Sequence, residues 1–360
     1  MEVCFLKNYI LILVLVLVCL SIVNFQADAK YDFKLEYLGD INISSSYFPV
    51  GKLPLPVICE NMVYDSVEST YDNYHNIYDI ENRELLKSYK LPPSIDSLGL
   101  YTNGKQVVYV HEMDKKAIVY EGLNKIWEEE FDDYIFGLTM DQDYIYAAVA
   151  ETGIVILEMD GKRVNIINGE MGEYIAEKKY AIGMLNDEKN LYLFDRKTLY
   201  KIDKDTYETE YRVKYNEGSF KIVLQNSKFL FRYDANMIDK ETGEVVDRIE
   251  GWDFAVDEDL IIYTDGKLIA KNIDTGEKLW EKEFIENRTF VPLIDNGYFY
   301  IFLEKFYVID VRTGNVVWED EPIDYFFEYV PQIMATDEYV TVFIENRDSP
   351  KLRIYRKVFE

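Results

Sequence analysis

Beyond Lys30, apolar residues fall in short bursts that alternate with polar ones or run unbroken between turn residues, and no stretch sustains a helical period between caps. That pattern predicts strands throughout. The clearest burst is Phe306–Pro322, FYVIDVRTGNVVWEDEP, where an alternating strand meets an Arg-Thr-Gly turn and a second strand leaves carrying Trp318. Nearly the same sentence occurs at Leu268–Phe284, LIAKNIDTGEKLWEKEF. Repetition at a fixed period points to an array of like units.

Each unit reads as a first strand that often opens with Pro, a turn, and a strand rich in Tyr and Val. A third strand then ends on an acidic or amide residue, and a tight turn leads into a fourth. The Pro element stands at Pro56, Pro292 and Pro331, with Tyr64, Tyr300 and Tyr339 eight positions on. The residue before the tight turn is placed at Asp79, Glu121, Glu158, Asp203, Asp239, Asn272 and Asp310, with Tyr355 in the corresponding place near the C-terminus. Four strands of five or six residues plus turns need roughly 40–50 residues, the size of a propeller blade. The expected fold is an all-β, eight-bladed propeller over residues 30–360, with four antiparallel strands per blade. Seven blades is the alternative, and it fits the length less well. After Tyr355 too little chain remains for a fourth strand, while Phe33–Ile41 is a spare strand without a unit of its own. The expectation is that this N-terminal strand completes the last blade and closes the ring.

The tight turn has a local explanation. Gly takes φ > 0 without steric cost, and Thr or Asp side chains hydrogen-bond nearby backbone. Thr242-Gly243, Thr275-Gly276 and Thr313-Gly314 keep the pair, and Asp160-Gly161 serves the same purpose after Glu158. At Asn82-Arg83 and Thr206-Tyr207 the Gly is gone, which implies local strain or another turn type. Trp280 and Trp318 sit four residues past the Gly, with Trp127 and Tyr211 at similar points. Such side chains are expected to wedge between adjacent blades.

The pattern Asp-x-x-Thr-Gly-x-x-x-Trp, read at Asp310-Thr313-Gly314-Trp318 and as Asn272-Thr275-Gly276-Trp280, resembles the pyrroloquinoline-quinone-like propeller repeat. Asp239-Thr242-Gly243 keeps its first half. That family includes eight-bladed quinoprotein dehydrogenases and non-enzymatic relatives such as the outer-membrane assembly lipoprotein; its blades are built like WD40 blades. The resemblance covers residues 31–360 in period. In the family this motif is structural, so the resemblance implies a fold and no catalytic residue.

Composition narrows the partner. A net charge of −27 argues against nucleic acid, whose phosphates need a basic face. The acids are scattered along strands and turns, as on a solvated surface. Of three cysteines, Cys4 and Cys19 lie in the N-terminal apolar segment and leave Cys59 alone, so no disulfide or cysteine cluster holds the fold. Between Lys7 and Asp28 there is no charge, and Ala27-Asp28-Ala29 resembles a signal-peptidase site. Residues 1–29 read either as a cleaved signal peptide or as a retained apolar helix, a signal anchor outside the fold. Both readings place the domain outside the cytoplasm, secreted or anchored to the outer membrane face. They would open the acceptor triplets at Asn42 and Asn287 to glycosylation.

Candidate chemistry is sparse. His75 and His111 are the only histidines, and each is expected to be an ordinary strand or surface residue. Asp141-Gln142-Asp143, Asp203-Lys204-Asp205 and Asp257-Glu258-Asp259 hint at calcium, but none continues as an EF-hand loop and all fall at predicted turns. No phosphate loop or serine-hydrolase elbow is present. No catalytic, metal or cofactor residue is therefore assigned; calcium and a quinone are the two ligands weighed, and neither is expected. The sequence points to a monomeric, non-catalytic extracytoplasmic scaffold that binds a protein or envelope component through loops or the channel mouth. The alternative is an enzyme on the same propeller, quinone-dependent or active on polysaccharide.

Overall fold

The computed structural model describes residues 33–42, 56–67, 73–91, 98–111, 115–168, 175, 183–195, 197–215, 222–232, 234–283, 292–302, 305–321, 332–344 and 351–359. These form eight four-stranded antiparallel sheets. Numbered in chain order, blades 1 to 7 span residues 57–91, 98–130, 135–167, 183–214, 222–248, 252–282 and 293–319, each an up-and-down meander. Blade 8 takes its inner three strands from Gln332–Ala335, Tyr339–Ile344 and Lys351–Phe359, and its outer strand from Phe33–Asn42. Phe33 stands opposite Phe359 and Asn42 opposite Lys351, so the two ends of the chain form one ladder. Inner strands of neighbouring blades touch, blade 8 with blade 1 included, and blades 4 and 5 share a buried apolar cluster. The eight-bladed expectation and its N-terminal closure are both met. Asn42 ends the closing strand, exposed; residues 1–29 and Asn287 lie outside the described residues.

Cores form between blades because each sheet is covered on both faces by its neighbours. Second and third strands accordingly run nearly unbroken in buried residues, as in Val107–His111 and Tyr339–Ile344. Outer strands alternate exposed charge with half-buried aromatics, as in Asn124–Glu130 around Trp127. Lysine and glutamate along these free edges discourage pairing with another sheet.

The tight turn is built as its residues suggest. Asp310 Oδ1 accepts hydrogen bonds from the Thr313 amide (2.7 Å) and hydroxyl (2.8 Å), and the Gly314 amide donates to the Asp310 carbonyl at 2.9 Å. Gly314 holds φ +71°, the left-handed region. Asp239 with Thr242-Gly243 and Asn272 with Thr275-Gly276 repeat every one of these bonds. Where Gly has been lost the turn survives with strain. Arg83 and Tyr207 take φ of 59° and 60° and still donate to Asp79 and Asp203.

The aromatic of one blade caps the turn of the next. Trp280 Nε1 donates to the Val311 carbonyl at 2.7 Å, and its ring lies flat on Gly314. Trp127 does the same to Met159 and Gly161, and Tyr211 to Lys240 and Gly243. Blade 5 carries Asp247 at the equivalent register, opposite Met237, and Gly276 in the following turn has nothing near its α-carbon face. Trp318 packs edge-on against Phe306 and Tyr355 at the blade 7–8 boundary.

One mark is displaced. In blade 7 the turn residue Asp310 stands opposite Tyr298, and in blade 8 the residue opposite Tyr339 is Arg356, not Tyr355. No turn follows it, because the strand runs on to Phe359. Arg356 binds Glu36 of the closing strand (3.1 Å) and Glu81 of blade 1.

Candidate functional site

Strands alternate in direction, so the hairpins joining first to second and third to fourth strands share one face of the ring. Side chains lace the first of these hairpins together from blade 2 to blade 6. Asn103 Nδ2 donates to the Asp141 carbonyl (3.2 Å) and Gln142 Nε2 to the Asn103 carbonyl (2.9 Å). Gln225 Nε2 donates to Asn186 (2.8 Å), and Asn226 Nδ2 to Asp257 (3.4 Å) and Glu258 (3.2 Å). Across blades 8, 1 and 2 an open groove of about 740 Å³ takes the place of this lacing.

The groove is walled by Ala335 and Thr336-Asp337-Glu338 of blade 8, by Ile58, Glu60 and Asn61 of blade 1, and by Thr102 and Gly104 of blade 2. Glu60 and Gly104 hold φ of 53° and 87°, which turns their backbones sharply at the rim. Glu60, Asp337 and Glu338 are exposed, and among the described residues no lysine or arginine lines the groove. Beneath it Cys59 is buried. Burial pushes its thiol up to about 11, the Glu60 and Glu121 charges push the same way, and a hydrogen bond to Thr102 partly opposes them. A thiol so protonated is a poor nucleophile at neutral pH. Beside the rim, Tyr339 donates to Glu81, and burial followed by that carboxylate pushes its phenol up to about 12.

These groups can accept hydrogen bonds and attract positive charge. A quinone cofactor bearing carboxylates does not fit them, since three like charges would face it with no described cation among them.

Most residues singled out in the sequence lie elsewhere. Asp239, Thr242, Gly243, Asn272, Thr275, Gly276, Trp280, Asp310, Thr313 and Gly314 sit in the third-to-fourth hairpins and outer strands of blades 5 to 7, where they hold turns and boundaries. The acidic triplets do lie at turns. Asp141 Oδ2 is taken by Lys204 of the next blade (2.5 Å) and by the Tyr146 hydroxyl (3.1 Å). Burial raises that carboxyl, and Lys204 with two backbone amides outweighs it, leaving it below the ordinary range. The same triad recurs one blade on as Asp187 with Lys240 (3.1 Å) and Tyr192 (3.0 Å). Lys357 reaches Asp295 at 2.5 Å across the blade 7–8 boundary. Among the described residues no three histidine, cysteine or acidic side chains converge as a ligand set.

Both histidines lie in strands, as expected, but their meeting was not foreseen. His75 and His111 are both buried, and they meet across the blade 1–2 boundary with ring centroids 5.2 Å apart. Alternation along each strand turns both toward that boundary, which the spacing of two isolated residues in the sequence does not reveal. The groove residues were missed as well. Their one visible signal is the turn chemistry of Glu60-Asn61, Asn103-Gly104 and Thr336-Asp337.

No protein-family model matches the chain, and no curated protein sequence matches it. Solved structures do. The computationally designed Ika8 protein aligns with 88% of this chain and 99% of its own, at TM-score 0.63 and 12% identity. BamB from Moraxella catarrhalis aligns over 89% and 97%, at TM-score 0.54 and 14% identity. Saccharomyces cerevisiae Sqt1 aligns over 91% and 98%, at TM-score 0.56 and 10% identity. At such identities the likeness is one of fold: the chain is a β-propeller.

Proposed function

We propose that this propeller is a non-catalytic scaffold whose groove across blades 8, 1 and 2 receives a positively charged segment of a partner protein. The observation that carries the reading is the composition of the groove: three exposed carboxylates, two threonines and an asparagine, with no described cation. Lysine and arginine side chains suit such a lining, since each carboxylate accepts charge-assisted hydrogen bonds. The turn and capping geometry of Asp310-Thr313-Gly314 and Asn272-Thr275-Gly276-Trp280 supports the likeness of the repeat to the quinone-type propellers. The N-terminal apolar segment supports an extracytoplasmic location, secreted or held at the outer membrane face.

The test is comparative affinity purification from the native membrane fraction. Wild type is run beside Glu60→Lys with Glu338→Lys, and beside Glu244→Lys, an exposed control in blade 5. A partner recovered with wild type and control but lost with the groove variant is expected. Recovery of the same proteins by all three would overturn the groove, and full-length protein confined to the cytosol with residue 1 intact would overturn the location.

A further inference from the structure

A neutral, fully buried histidine is uncommon, and here two meet at one boundary. His75, in the third strand of blade 1, stacks on Tyr109 of blade 2 with centroids 3.4 Å apart and meets Tyr120 edge-on at 5.9 Å. His111, two residues beyond Tyr109 on the same face, completes the contact at 5.2 Å. Among the described residues neither ring nitrogen of His75 finds a hydrogen-bond partner.

The boundary around the two rings is buried and largely apolar. The same apolar cluster contains Cys59, Tyr64, Tyr109 and Tyr120, with Tyr89 packed against it. Its described charged groups are Lys87, over the Tyr89 ring, Lys116, opposite His111 and 3.8 Å from Glu128, and the carboxylates Asp65, Glu60, Glu121 and Glu128, whose charges add to burial in pushing the cluster's tyrosines up. Asp65, next to the residue paired with His75, alternates onto the opposite face of blade 1. A proton on His75 therefore enters a desolvated place beside another imidazole.

We propose that the His75–His111 contact makes the blade 1–2 boundary an acid-sensitive seam, closed while both rings are neutral and loosened when His75 takes up a proton. Burial, with His111 adding to it, holds His75 well below its ordinary value of 6.5. The unfolded or opened chain then binds the proton more readily than the closed one. Stability is full above the unfolded value and falls as pH drops from about 6.5 toward the lowered one, by up to about tenfold in the opening constant per pH unit. Other boundaries lack the device, since these are the only two histidines in the chain.

The test is amide hydrogen exchange of the full chain at pH 7.5, 6 and 5, corrected for intrinsic exchange. His75→Phe, which keeps a ring on Tyr109 without a titrating nitrogen, is run in parallel. Wild type should lose protection in Asn73–Asp79 and Val107–His111 relative to Asn190–Phe194 of blade 4 as pH falls, and His75→Phe should abolish that selective loss. A pH response equal in all blades, or a selective loss that persists in the variant, would overturn the proposal. Should the variant not fold, NMR titration of the His75 ring in wild type decides: a midpoint below 6.5 supports the seam, and one at or above 6.5 refutes it.

Discussion

Two glycines in the same turn separate backbone strain from packing. Gly276 and Gly314 hold φ of +69° and +71° and donate the same hydrogen bond, yet their surroundings differ. A Cβ at Gly276 meets nothing within 4 Å, whereas one at Gly314 falls 2.7 Å from Trp280 Cδ2. Alanine in the left-handed region costs about 1–2 kcal/mol, and that should be the whole effect of Gly276→Ala. Gly314→Ala must also push the indole away, adding about 1–3 kcal/mol of overpacking. It strains the Trp280–Val311 hydrogen bond as well, worth about 0.5–1.5 kcal/mol net. The second variant should therefore lie at about 2.5–6.5 kcal/mol, above the first. Urea unfolding followed by tryptophan fluorescence and circular dichroism measures both, and coincident transitions establish that one free energy describes each curve. A Trp280→Ala background sharpens the test, because there Gly314→Ala should shrink to the cost of Gly276→Ala. Equal losses for the two glycines in the wild-type background would refute the capping role of Trp280.

Three further outcomes follow from the geometry. Deleting residues 31–42 removes the outer strand of blade 8 and the burial of Phe33, Leu35 and Ile41, about 1.5–3 kcal/mol each. A loss of that size rivals the whole stability of a domain, so cooperative thermal unfolding should disappear; full stability would refute closure. Lys357→Ala strips Asp295 of its buried partner and should cost about 2–3 kcal/mol, below the usual cost of breaking a fully buried pair because Asp295 keeps 27% of its surface. The exposed pair Lys105–Glu121 should be worth about 0–0.5 kcal/mol, and chemical denaturation of the two lysine variants checks the contrast. Cys59, with its thiol pushed to about 11, should resist alkylation at pH 8 in native protein and react on unfolding, as read by mass mapping of its peptide.

The ring was legible in the sequence because the third-to-fourth turn is written in adjacent residues. Asp310, Thr313 and Gly314 make their bonds to one another, so their spacing carries the geometry with it. Trp280 was legible for a related reason, since one strand's alternation fixes the face it covers. The mark at Tyr355 slipped because the last blade has no turn, and only the pairing of Tyr339 with Arg356 sets its phase. The groove and the histidine pair were not legible at all. Glu60, Thr102 and Asp337 come from three blades, and His75 meets His111 only once blades 1 and 2 lie side by side. Proximity of that kind belongs to the closed ring.

The clasp between Phe33–Asn42 and Lys351–Phe359 also sets a timetable. The strand Phe33–Asn42 leaves a ribosome long before its partner Lys351–Phe359 is made. At roughly 5–20 residues per second, synthesis leaves it waiting on the order of tens of seconds. Seven blades can fold during that interval, each on local pairings, but the circle cannot shut. Until it does, the early strand and the open flank of the final blade offer unpaired amides and carbonyls to any neighbouring chain. A helper that shields one ten-residue strand during synthesis would protect the whole ring, and delay in making Lys351–Phe359 would be the step most exposed to misassembly.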